Sequence, residues 1–268
     1  MNIYNYEFKR LLKQTFFWTL GISAMIILSM FIFAQFMEEG LMHDLTQVLE
    51  RPFMGNMMQA FGIDPAQLSN ILGFYVTRNS AFTMLMGSIF AIMATSSIIA
   101  KEESEKTAEF LLTRPVTRIR IMSEKILAFH THLILLNLAV SVIGFICLEI
   151  FKTSTYDLSA FIIICFYTYL LMLLFSSFGL LYSVLARRGR VFWGVLIGIV
   201  IGTYFLEIFS NITESFEFIG YFSPFTYVDK EVLAPDYRLE FRRVLFFAGI
   251  AIILTAVSFR IYRRKDIV

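Results

Sequence analysis

His130 and His132 lie just past the start of a long apolar run, and a Glu102-Glu103 pair stands shortly before it. A carboxylate beside an imidazole can take a proton from water, so the combination could support hydrolysis within a membrane. The spacing argues against it. A Glu-Glu-x-x-x-Arg arrangement would need an arginine where Thr107 stands. The two histidines are at i and i+2, which points them to different helix faces, and no His-Glu-x-x-His pair exists. Hydrogen-bonded or headgroup-facing histidines are the simpler reading, and an intramembrane enzyme using His130 and His132 is kept as an alternative. Glu149 and Glu207, near the ends of their own apolar runs, could line an exit path for a cationic cargo or be ordinary interfacial acids. The chain has no Gly-x-x-x-x-Gly-Lys-Ser/Thr phosphate loop, and none of its glycines is followed by lysine. It therefore carries no such site for ATP of its own.

The elements that must position these residues are set by composition. The chain is 57% hydrophobic and 16% aromatic with 30 Phe, but only 16% charged. Its mean hydropathy of +0.70 exceeds what a soluble core requires. Six segments reach the ~20 apolar residues that cross a bilayer: 16–36, 81–100, 126–148, 158–186, 191–209 and 244–262. The reading is one all-α integral membrane domain over residues 1–268, with Arg242, Arg243 and Arg260 snorkelling at the ends of the last span. Cys147 and Cys165 fall inside spans and read as two buried free thiols.

Orientation follows from the loops, because Lys and Arg are retained on the cytosolic side. With the N-terminus inside, the inner segments hold 16 of the 23 basic residues but 7 of the 21 acidic ones. Both termini are therefore expected in the cytosol. The net charge of +2 hides this polarity and gives no reason to expect nucleic acid. Lys9, Arg10 and Lys13 precede the first span as they would in a secretory leader, but Ala34-Gln35-Phe36-Met37-Glu38 lacks a small-x-small cleavage site, so the span is expected to stay.

Tyr4, Phe8, Leu11, Leu12 and Thr15 share one helical face opposite Asn5, Lys9 and Lys13. This predicts an amphipathic interfacial helix over 1–15, with a plain extension of the first span as the other possibility. The outer stretch 37–80 predicts short amphipathic helices, one starting at Asp64-Pro65. A second outer element, 216–227, is aromatic and broken by Gly220 and Pro224. It either dips into the membrane or rests on its surface.

Residues 101–125 form a charged insert between spans two and three, acidic in its first half and basic in its second. Phe110, Leu111 and Leu112 make an apolar knot that a free loop has no reason to expose. Glu103, Thr107, Glu109, Leu111, Leu112, Pro115, Val116, Arg118 and Lys125 form an acidic-Thr-x-x-x-Leu-Leu-x-x-Pro-Val-x-Arg pattern ending in a Lys. This resembles the permeases of ABC-2 type transporters. The usual small residue before the Thr is replaced by Lys106. A broken Ser223-Pro224-Phe225 element before the last span extends the resemblance over nearly the whole chain.

The resemblance implies a coupling helix between spans two and three that docks on a separate ATP-binding subunit. It implies two such subunits carrying ATP and Mg, and a second permease, identical or homologous. It also implies a multi-pass protein of a bacterial plasma membrane. Glu102, Glu103, Thr107, Glu109, Leu111, Leu112, Arg114, Pro115 and Arg118 are the contact residues it suggests. No cofactor, metal or catalytic residue is expected in this chain. Export of a hydrophobic or amphipathic peptide, such as a bacteriocin or phenol-soluble modulin, fits the apolar bundle best, with a drug-like molecule or lipid second. A non-transport membrane scaffold is the remaining alternative.

Overall fold

The computed structural model describes residues 3–38, 70–101, 117–152, 155–186, 191–212 and 216–264. Among them the chain is helical, without strands, and six helices are long and apolar enough to cross a membrane. α1 is Ile3–Glu38. α2 runs over Ile71–Ser96, and its Tyr75–Ser80 segment is a π-helix. α3 is Arg118–Phe151, α4 Leu158–Leu185 and α5 Trp193–Ser210. A short α6, Glu217–Gly220, and a 3-10 turn, Pro224–Tyr227, precede α7, Phe241–Arg264.

α4 is the hub: it packs on α2 and on α7 and touches α3, while α1 lies along α3 and α5 against α2 and α6. The outward faces stay apolar, with Phe16, Phe17, Leu20, Leu138, Val142, Ile146, Ile252 and Ile253 all exposed. In water such a surface would aggregate; facing lipid tails it costs nothing.

The helix ends are fixed by local chemistry. Asn70 caps α2, its Oδ1 accepting from Leu72 N–H at 2.9 Å and Gly73 N–H at 3.3 Å. Thr117 caps α3 and Asp157 caps α4 in the same way. Ser223 Oγ accepts from Phe225 N–H at 3.2 Å, with Pro224 at the first position of the 3-10 turn. The expected broken element before the last span is thus built from the Ser-Pro-Phe residues themselves.

Three expected boundaries move. The segment 1–15 is no separate interfacial element: α1 is continuous through residue 15 into the span, since no Gly or Pro interrupts it before Gly21. The second span begins at residue 71 and not 81, because the π-turn carries the helix through Thr77, Arg78, Asn79 and Ser80, with Thr77 Oγ1 bonded back to Gly73 O at 2.8 Å. The third helix begins at Arg118, so residues 118–125 belong to it rather than to the loop. Smaller shifts lengthen the last helix to residues 241–264. The proposed outer helix start at Asp64-Pro65 lies outside the described residues.

Candidate functional site at the loop anchors

Both ends of the charged insert, residue 101 on α2's side and residue 117 on α3's, emerge at the end of the bundle where α1 starts and α7 stops. Ile3, Glu7, Leu11 and Thr15, one row at i, i+4 spacing on α1, are all buried. α3 faces this row with Ile121, Lys125, Ala128 and His132, also buried.

Lys125 is the centre. Its side chain is 1% exposed, and its Nζ donates to Glu7 Oε1 at 3.0 Å and to Ile98 O at 2.8 Å. Glu7 in turn has Arg10 Nη1 at 3.0 Å from its Oε2; the charges meet, though not in hydrogen-bond geometry. Ile98 lies in the turn where α2 has just lost its helical ladder, so its carbonyl needs an outside donor. Ser183 of α4 serves the same stretch from the other side, its Oγ accepting from Ile99 N–H at 3.0 Å and Ala100 N–H at 3.1 Å. The chain entering the insert is thereby held by α1, α3 and α4 together.

The chain leaving the insert is held as well. Arg118 Nη1 reaches Tyr262 O on α7 at 3.5 Å. Glu124 accepts Tyr4 N–H at 3.3 Å across to α1 and Arg120 Nε–H at 2.8 Å on its own helix. A carboxylate at the first turn of α1 meets free N–H groups and the positive end of the helix dipole. Tyr4 O–H donates to Thr131 Oγ1 at 3.2 Å.

His132 belongs to this seam and not to a catalytic pair. Its Nε2 lies 2.9 Å from Phe8 O, which can only accept, so Nε2 is assigned the proton; Nδ1 lies 2.9 Å from Thr15 Oγ1. The ring stacks on Phe8 with centroids 4.5 Å apart. His130 turns away and bonds Ile126 O on its own helix at 2.9 Å.

Of the residues expected to contact an ATPase, Glu102, Glu103, Thr107, Glu109, Leu111, Leu112, Arg114 and Pro115 lie outside the described residues, and Arg118 opens α3. The two path acids lie at the opposite end, Glu149 on α3 and Glu207 on α5, each with its own partners. Exposed Glu149 accepts from Lys152 at 2.5 Å and from Tyr156 O–H at 2.7 Å. Burial, then the Glu149 carboxylate, pushes the Tyr156 phenol up to about 12. Glu207 is buried and paired with Lys230. Both acids therefore have cationic partners from this chain.

Sequence reasoning missed Glu7, Glu124 and Ser183. The available signal was the acid at position 7 inside an otherwise uncharged i, i+4 row, which in an apolar setting demands a buried base.

A search among curated proteins returned no match. The family model described as ABC-2 family transporter protein matches residues 1–267. With six candidate spans and a charged insert fastened at both ends, the chain belongs to the ABC-2 transporter family, as the membrane permease of an ABC transporter.

Proposed function

We propose that this permease is half of an ATP-driven exporter whose insert, residues 102–116, faces the cytosol and docks on a separate ATP-binding subunit. The observation that carries the reading is the double fastening of the insert. A push that reaches residues 101 and 117 passes into the bundle, because Lys125, Ser183 and Arg118 tie these flanks to α1, α2, α3, α4 and α7. The charge asymmetry of the loops supports a cytosolic position for this end and for both termini. Two permeases and two ATPases would form the working unit, in the plasma membrane, and closure of the ATPase pair would rock the two bundles. The apolar bundle supports a hydrophobic or amphipathic peptide as cargo, with a drug-like molecule or lipid second.

The test is co-purification of the tagged chain in mild detergent followed by an ATPase assay, with Glu103→Ala, Arg118→Ala as the comparison. A stoichiometric ATP-hydrolysing partner, lost or uncoupled in the double variant, is the expected result. A wild-type chain that purifies without any ATPase would overturn the reading.

A second permease would approach most closely along α5. A Cβ built on Gly194, Gly198 or Gly202 meets nothing within 4 Å, and their four-residue spacing puts them on one face, the pattern along which helices pack in lipid. Gly198→Leu is expected to weaken permease pairing on the order of tenfold or more, read by single-molecule photobleaching in nanodiscs. Unchanged pairing would place the second permease on another face.

A further inference from the structure

We propose that the groove between the start of α3 and the end of α7 is a binding site for the headgroup of an anionic phospholipid of the inner leaflet. The proposal rests on the orientation given above but not on ATP coupling. The groove has a volume of about 640 Å³ and is lined by Ile119, Ala256, Phe259, Arg260, Arg263 and Arg264. The arginines at i, i+3 and i+4 share one face of α7, all three are exposed, and no acid lines the groove among the described residues.

Depth orders the chemistry. Along α7, Ala256 precedes Arg264 by about 12 Å at 1.5 Å per residue, so the apolar wall lies toward the middle of the span and the cations at its rim. A phospholipid has the same order: an acyl chain below, a phosphate above. An acidic segment of a soluble protein would match the rim and leave Ala256 and Phe259 uncovered. Planar guanidinium groups suit phosphate oxygens, giving paired hydrogen bonds a lysine cannot. The two walls are not independent, because Arg118 of α3 reaches the carbonyl of Tyr262 on α7. A lipid seated here would brace the first turn of α3, immediately after the insert, against the last helix.

The test uses the full chain in nanodiscs of phosphatidylcholine with or without phosphatidylglycerol, with retained lipid counted by native mass spectrometry. Each juxtamembrane arginine is worth about fivefold in affinity for an anionic surface, so R260Q/R263Q/R264Q should lose phosphatidylglycerol retention on the order of 100-fold. R238Q/R242Q, at the opposite end, should retain it as wild type does. Should the triple variant fail to fold, R264Q alone is expected to lose about fivefold. Phe259→Ala separates a lipid from a bare anion: it should weaken phosphatidylglycerol and leave inorganic phosphate binding unmoved. Equal retention by the triple variant and wild type would overturn the proposal, as would displacement of the lipid by inorganic phosphate at matched concentration. Either result can arise while the ATPase still co-purifies, so the lipid site and the transporter reading fail separately.

Discussion

Lys125→Met is expected to cost the protein both stability and coupling. The substitution leaves Glu7, 2% exposed, with only Arg10 beside it, at 3.0 Å and outside hydrogen-bond geometry, and leaves Ile98 O without a donor. Breaking a buried ion pair from one side typically costs about 3–5 kcal/mol, a large share of any single-chain stability. A lower melting temperature in detergent and ATP turnover that no longer responds to cargo are the expected readouts. The paired change Glu7→Leu, Lys125→Met separates the two effects. Replacing both charges by apolar groups of similar size is often neutral or stabilising, so the fold should largely return. The Ile98 carbonyl still lacks its donor, so the α2 end of the insert stays loose and coupling should not return. If the double variant regains both, the pair serves only the seam between α1 and α3. If Lys125→Met alone melts and couples as wild type, Lys125 does not hold the insert at all.

The same residues show why the sequence is legible only in part. Six spans are readable because a chain in lipid must satisfy its backbone inside each helix, and long apolar runs are the visible result. Their ends are less readable. A hydropathy window treats Asn79 and Lys125 as facing water, yet both are buried against protein, so the window starts the second and third helices too late. The amphipathic face of the N-terminal segment is found to within about one residue step: Leu11 and Thr15 are in the buried row as expected, but Ile3 and Glu7 complete it in place of Tyr4 and Phe8. Glu7 belongs to neither expected face, because its partner is 118 residues away, a distance that no local pattern reports. By contrast, the i, i+2 spacing of His130 and His132 is a local fact, and the two rings do face different neighbours. Cys147 and Cys165 are free thiols, Cys147 buried as expected and Cys165 only half-buried.

Gly179→Ala should be more damaging than the same change at Gly87 or Gly198. A Cβ at 179 on α4 would lie 2.2 Å from Thr95 Oγ1, 2.6 Å from Ile92 O and 3.1 Å from Ile92 Cα. Thr95 could rotate, at the cost of its hydrogen bond to Ala91 O at 2.7 Å. Ile92 cannot, because the offending atoms are backbone, so α2 and α4 must separate. Overpacking of this kind costs about 1–3 kcal/mol. Gly87→Ala is the contrasting case: its Cβ would meet Met172 Cε and Sδ, the free end of a flexible side chain that can swing aside. Gly198→Ala meets nothing within the chain and should leave the permease's own melting unchanged. The expected order of melting temperatures is therefore Gly198→Ala, then Gly87→Ala, then Gly179→Ala, and equal values for the first and last would refute the close approach of α2 and α4. A functional loss should accompany the structural one. Ser183, which holds Ile99 and Ala100, is one turn beyond Gly179 on the same helix. Parting α4 from α2 at Gly179 pulls that hydroxyl off the start of the insert, so cargo-responsive ATP turnover should fall in Gly179→Ala even where the protein is still folded.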